Sequence, residues 1–209
     1  MKLSSSWKPS ALRRSSSKGV GVMNPFSGDM MVLGDFEMTS PTMRASDPCY
    51  DRDVWCCGTF DNCKLGIWEA GILMLDEGAW GNRVAVLAAR HKETGPDFTI
   101  IRDPNIFLGH GSWTEQPFEV GVDSGQAGLF DDAHYQDDTV FDGMEEPEHD
   151  FGDLWYNHAC DITLSRMQAG VMPYGAVSSS GFGDGGYVCY THEGDTGEID
   201  FAFIVFIDE

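Results

Sequence analysis

The chain has 209 residues, 42% hydrophobic and 12% aromatic, which is enough apolar material for one sizeable core and excludes a disordered protein. Its 25 glycines and 9 prolines imply many tight turns, which suit short strands better than long helices. The formal net charge of −21 argues against nucleic-acid binding through basic patches, because such a surface repels phosphate.

Residues 1–27 read as a flexible, basic, Ser-rich tail ahead of a single acidic β-rich domain at 28–209. Lys2, Lys8, Arg13, Arg14 and Lys18 all precede the first acid, Asp29, so the other eight basic residues face all 34 acidic ones. The plain reading of this imbalance is a solubilising surface. The sharper one is a negative surface that engages a basic partner, as a nucleic-acid mimic would. The tail has the composition of an organellar transit peptide, but it lacks an apolar stripe and Pro9 interrupts the helix that such a peptide forms. It also lacks the apolar core of a secretory signal. The six cysteines are therefore expected as thiols or ligands rather than a disulfide framework, and the location as cytoplasmic. No run of about 18 apolar residues exists, so no membrane span is expected.

Further along, MMVLGDFEM (30–38) and TMRAS (42–46) read as short strands joined at Ser40-Pro41. SDPCY (46–50) opens a turn, because Pro48 holds Asp47 extended and removes a backbone donor. WCCGTF (55–60) and KLGIWEAGILML (64–75) read as strands. The second sets Trp68, Ala70, Ile72 and Met74 on one face and Ile67, Glu69, Gly71 and Leu73 on the other. RVAVLAARH (83–91) fits a helix by its alanines or a strand by its alternation, and the strand is favoured because no N-cap precedes it; FTII (98–101) is a further strand candidate. FEVGVDSGQAGLFDD (118–132) alternates up to Gly125. Residues 131–153 are the most acidic stretch and read as a long exposed loop.

DLWYNHACDITLSR (153–166) is the one helix expected, capped by Asp153, with Leu154, His158, Asp161 and Ile162 along one face. The chain ends in a hairpin of GYVCYTHE and EIDFAFIVFID around a GDTG turn. Roughly nine strands and one helix make a mainly β fold, an antiparallel sandwich or partly open barrel.

Two Gly-rich corners concentrate the chemistry. GFGDGG (181–186) has the G-x-G-x-x-G spacing, but a strand follows where a dinucleotide site needs a helix N-terminus. It reads as a turn in which Ser180, Gly183, Asp184 and Tyr187 are ligand-binding candidates, with Asp184-Gly185 supplying positive φ. VDSGQAGLFDD (122–132) adds Asp123, Ser124, Gly125 and Asp131. Paired carboxylates can hold a divalent cation or act as acid and base, and Asp123, Asp131 and Asp184 are the candidate set; no other cofactor is expected. Ser124 lacks the G-x-S-x-G context of a nucleophile elbow. The cysteine spacing C-x6-C-C-x5-C matches no common zinc pattern. Nothing in the spacing supports a nucleophile pair of Cys49 or Cys189 with His158 or His192. Asp138, Asp142 and Gly143 resemble part of a calcium loop, whose third and twelfth positions fail at Val140 and His149.

SDPCY, the Trp55-Cys56 pair, Trp80-Gly81-Asn82-Arg83, VDSGQAGLFD and VSSSGFGDGGYVCY, in that order, resemble an uncharacterised family of bacterial and bacteriophage proteins. The last two motifs are similar to those of the family named domain of unknown function 4241. The resemblance covers roughly residues 30–208; Cys57 and Cys63 depart from it. It implies a phage or prophage origin and action in a bacterial cytoplasm, and no activity. The expectation is a non-enzymatic interaction protein that engages a basic host protein or a small ligand. A metal-assisted hydrolase and a structural virion component are the alternatives.

Overall fold

The computed structural model describes residues 28, 30–103, 106 and 112–208, so the tail expected at 1–27 lies outside the described residues. Eleven strands form two antiparallel sheets packed as a sandwich. The strands are β1 (Met30–Met38), β2 (Met43–Ser46), β3 (Gly58–Phe60), β4 (Gly66–Asp76), β5 (Asn82–His91), β6 (Trp113–Val122), β7 (Gln126–Asp131), β8 (Ala169–Met172), β9 (Gly175–Ser179), β10 (Gly185–Glu193) and β11 (Ile199–Val205). The larger sheet runs β1-β4-β5-β11-β10-β6 and the smaller β3-β2-β7-β9-β8.

Alternation sets the phase of most strands. In β4, Trp68, Ala70 and Ile72 are buried as expected. The register against β5 shifts between Leu73 and Met74, with Ala85 of β5 as the extra residue; Leu73 and Leu75, on the other face with Gly71, are buried as well. Edge strand β1 carries its own register shift between Val32 and Gly34.

The inner layer joins Trp68, Ile72, Leu87 and Ile204 of the larger sheet to Met43 and Leu129 of the smaller. All six residues of β7 are buried, because the smaller sheet is covered on both faces. Ala127 and Leu129 face the inner layer, while Phe130 meets a second cluster of Tyr135, Phe141, Trp155 and Ala159. That cluster is closed by α1 (Leu154–Leu164), the one α-helix among the described residues.

The structure adds to the sequence reading at some points and corrects it at others. The segment at 118–132 is two strands in different sheets, β6 and β7, broken at Asp123-Ser124-Gly125. Strands β8 and β9 are too short and too rich in Gly and Ser to stand out in the sequence. FTII is a 3-10 turn at Phe98–Arg102, because the Asp97 carboxylate accepts from Thr99 N at 2.9 Å and curls the chain. Phe98 then lies over Gly71, where a Cβ would come within 3.1 Å of its ring. The acidic stretch is not wholly exposed either. It holds two 3-10 turns capped by Asp131 and Asp137, and its Tyr135 and Phe141 are buried.

The helix has the expected place but turns another face inward. Trp155, Ala159, Cys160 and Thr163 are buried at helical spacing, with Trp155 4.9 Å from the rings of both Phe130 and Tyr135. Asp153 occupies the N-cap position without a side-chain bond; the Asp138 carboxylate accepts from Trp155 N instead, at 2.7 Å. Among the described residues no helix is long and apolar enough to cross a membrane. Asp138→Ala is therefore expected to lower stability by about 1 kcal/mol and Asp153→Ala by far less, as measured by urea unfolding of the two variants.

Candidate functional site

The two Gly-rich corners are both sheet crossings. Asp123–Gly125 carries the chain from β6 to β7, and Ser180–Asp184 carries it from β9 to β10. Antiparallel pairing of β6 with β10 sets Val122 opposite Gly185 and Gly121 opposite Gly186, so the corners are neighbours at one end of the sandwich. Ser180 N donates to Gly125 O at 3.0 Å and ties them together. Gly125, Gly181 and Gly183 have φ of 74°, 63° and 108°, backbone that a side chain would strain.

The first corner is held by a residue whose role the sequence did not reveal. Asp47 is fully buried, and its carboxylate accepts from Asp123 N at 2.9 Å, Ser124 N at 2.8 Å and Ser124 Oγ at 2.6 Å. It also accepts from Cys49 N at 2.9 Å, which shapes its own turn. Asp47-Pro48 could be read as a turn former, but its partners lie 76 and 77 positions away. Ser124, a candidate ligand residue, is thus engaged by Asp47.

The second corner braces itself. Ser180 Oγ donates to Gly183 O at 2.9 Å, and the Tyr187 hydroxyl lies 2.5 Å from Gly183 O and 3.0 Å from Ser180 O. Burial raises the Tyr187 pKa, so its hydroxyl stays a donor. Ser180, Gly183 and Tyr187 therefore hold the turn in shape.

Asp123 and Asp184 are different, because both line a cavity of about 530 Å³ between the corners. Tyr50, Trp55, Cys56 and Glu119 complete its working wall, and among the described residues no Lys, Arg or His lines it. One side is the 50–57 loop laid along the edge of β6, fixed by Gly121 N donating to Cys56 O at 2.7 Å. Gly121 permits this approach, since a Cβ there would stand 2.8 Å from Cys56 Cβ. Burial pushes the Tyr50 hydroxyl well above its ordinary value, reinforced by the Asp123 carboxylate and Cys56 beside it.

Asp131 does not join them. It sits at the far end of β7, about 16 Å along the strand from the first corner at about 3.3 Å per residue. Its two oxygens accept from Thr39 N at 2.6 Å, Thr39 Oγ1 at 2.8 Å, Ser40 N at 3.1 Å, Ala133 N at 3.1 Å and Ser40 Oγ. Asp123, Asp131 and Asp184 thus cannot share one metal, whose ligands stand about 2–2.6 Å from it. Among the described residues no group of three or more His, Cys, Asp or Glu is placed to hold an ion.

Among the described residues, no hydrogen bond joins Cys49 or Cys189 to His158 or His192. All six cysteines are free. Burial pushes Cys63 up to about 12 and Cys189 higher still. Cys49 is likewise pushed up to about 12, by desolvation and by the Asp47 carboxylate at its thiol. His192 Nδ1 pairs with Asp200 at 2.7 Å and His158 stacks on Phe141 at 3.9 Å. A second pocket, of about 290 Å³, lies between the first corner and α1, but its polar groups satisfy one another. Thr163 Oγ1 donates to Gln126 Oε1 at 2.8 Å, and Gln126 Nε2 to Cys160 Sγ at 3.4 Å.

No protein-family model, no curated protein and no solved structure matches the chain.

Two outcomes test this description. Asp47→Asn replaces an acceptor of four hydrogen bonds with a group that must turn donors toward donors; it should lower stability by about 3 kcal/mol, read by urea unfolding. For Asp131, burial raises the carboxyl pKa, but the bonds from Ser40, Thr39 and Ala133 outweigh it and the net value lies below the ordinary 3.8. Its contribution is present above that ordinary value and is lost as pH falls toward the depressed folded one. Asp131→Asn should therefore be less stable than the parent at neutral pH, with a gap that narrows below pH 3.8 in acid-unfolding curves.

Proposed function

We propose that this chain is a non-enzymatic interaction protein that engages a basic partner through the end of the sandwich where its two Gly-rich corners meet. The observation that carries the reading is the cavity there, which presents three carboxylates, from Glu119, Asp123 and Asp184, and no cationic side chain among the described residues. No ion pair among the described residues involves any of the three. Some acids elsewhere are matched: Asp132 by Arg44 and Arg52, Glu69 by Arg90, Asp200 by His192. Unmatched carboxylates in a concave wall favour a positively charged group arriving from outside, and they speed its approach through the field of the acidic body.

The reading needs no catalytic step. A rigid β scaffold with braced corners holds such a wall in one shape before the partner arrives, which limits the ordering cost of binding. A phage or prophage origin, as the motif resemblance implies, would make that partner a basic host protein.

Selection from a displayed random-peptide library tests it. The parent chain should enrich peptides bearing Lys or Arg, with retention that weakens as salt rises. The Glu119→Gln/Asp184→Asn variant should lose that enrichment. Equal enrichment by parent and variant, or enrichment of neutral and acidic peptides, would overturn the proposal.

A further inference from the structure

The wall of the cavity combines two chemistries. Trp55 lines it while 88% exposed, and the Tyr50 ring lies in the same wall as the Glu119, Asp123 and Asp184 carboxylates. An aromatic face attracts a cation most strongly when the cation is flat and weakly hydrated, and a carboxylate pairs best with a donor fork. Both preferences select a guanidinium over an ammonium, which is compact and strongly hydrated.

The chain builds the same combination internally. Arg44 and Arg52 stand over the Tyr135 ring at 5.0 and 5.6 Å, and both pair with Asp132, at 2.6 and 3.0 Å. The third cation–π contact among the described residues is again an arginine, Arg90 over Phe98 at 5.3 Å, and it pairs with Glu69. In each case an aromatic ring, a carboxylate and a guanidinium occur together. The cavity holds the first two without the third.

A second surface lies beside it. Phe182, two residues before Asp184, packs edge-on against Trp80 with ring centroids 6.4 Å apart. The two are 57% and 69% exposed. Free arginine or a polyamine has nothing to set on that apolar pair. A peptide that carries an apolar residue beside its arginine does.

Resting on the interaction-protein reading, we infer that the cavity receives one arginine side chain from an exposed segment of a protein partner. The guanidinium lies against Trp55 and is held by the Glu119, Asp123 and Asp184 carboxylates. An apolar neighbour of that arginine packs on Trp80 and Phe182.

The test is calorimetric titration of the full chain with a blocked hexapeptide, acetyl-Gly-Ser-Arg-Leu-Ser-Gly-amide. Its Lys, citrulline and Leu→Ser counterparts are titrated alongside. The arginine peptide should bind best, with the citrulline form at least about tenfold weaker and the lysine form several-fold weaker. Trp55→Ala and Glu119→Gln/Asp184→Asn should each weaken the arginine peptide about tenfold. Trp55 is exposed, so its loss leaves the core intact. Phe182→Ala should weaken only the peptides that carry leucine. Equal, Trp55-dependent binding of the Lys and Arg peptides would overturn the guanidinium assignment and leave the basic-partner reading standing. Citrulline binding as tight as arginine, or arginine binding indifferent to Trp55, would overturn the inference; the citrulline result would also remove the basic-partner reading.

Discussion

The end of the molecule that carries the cavity depends on one buried carboxylate. Asp47 leaves β2 of the smaller sheet and accepts from the backbone of Asp123 and Ser124, where β6 of the larger sheet ends. A charged acceptor with no exposed surface is costly unless donors surround it, and here three backbone N–H groups and one hydroxyl do so. The bond set joins the two sheets at the point where the chain passes between them. The position of Asp123, the direction of β7 and the attachment of the second corner through Ser180 N and Gly125 O all follow from it.

The smaller sheet makes the scaffold stiff. Its central strand β7 meets the inner layer on one face and an aromatic cluster on the other, so no residue of QAGLFD faces water. The second face is covered by material drawn from the acidic stretch and the helix. Tyr135, Phe141 and Trp155 are inserted among residues that are otherwise charged. Tyr135 also has its hydroxyl 2.8 Å from Tyr50 O and 3.0 Å from Asp47 O, and so links the outer cluster to the loop that walls the cavity.

Much of the fold was legible because period-2 alternation is a local signal. The phase of β4 up to Ile72, the strand at 83–91, the C-terminal hairpin and the sandwich architecture follow from it. What depended on distant partners was hidden. The register shift at Ala85 of β5 shows only against β4, and the inward face of α1 is the one whose Trp155 meets Phe130 and Tyr135 rather than the one with Leu154 and Ile162. The candidate site divided in the same way. Glycine spacing located both corners, and Asp123 and Asp184 do line one cavity. Asp131 was grouped with them by sequence proximity, although a fully extended β7 holds it at the opposite end. Asp47, Trp55 and Glu119 reach the site across long sequence separations that spacing alone does not encode.

Strand β1 bears on how copies of the chain meet one another. It is nine residues long and lies at the margin of the larger sheet, with Val32 exposed, the kind of edge that templates fibrils. The break in register between Val32 and Gly34 bends it out of line, and Asp35 and Glu37 follow at once. Another copy approaching that margin meets an irregular row of amides beside Glu37 and the Lys92–Asp35 ion pair. Runaway strand addition is thereby denied its template, at the expense of one irregular step in the ladder.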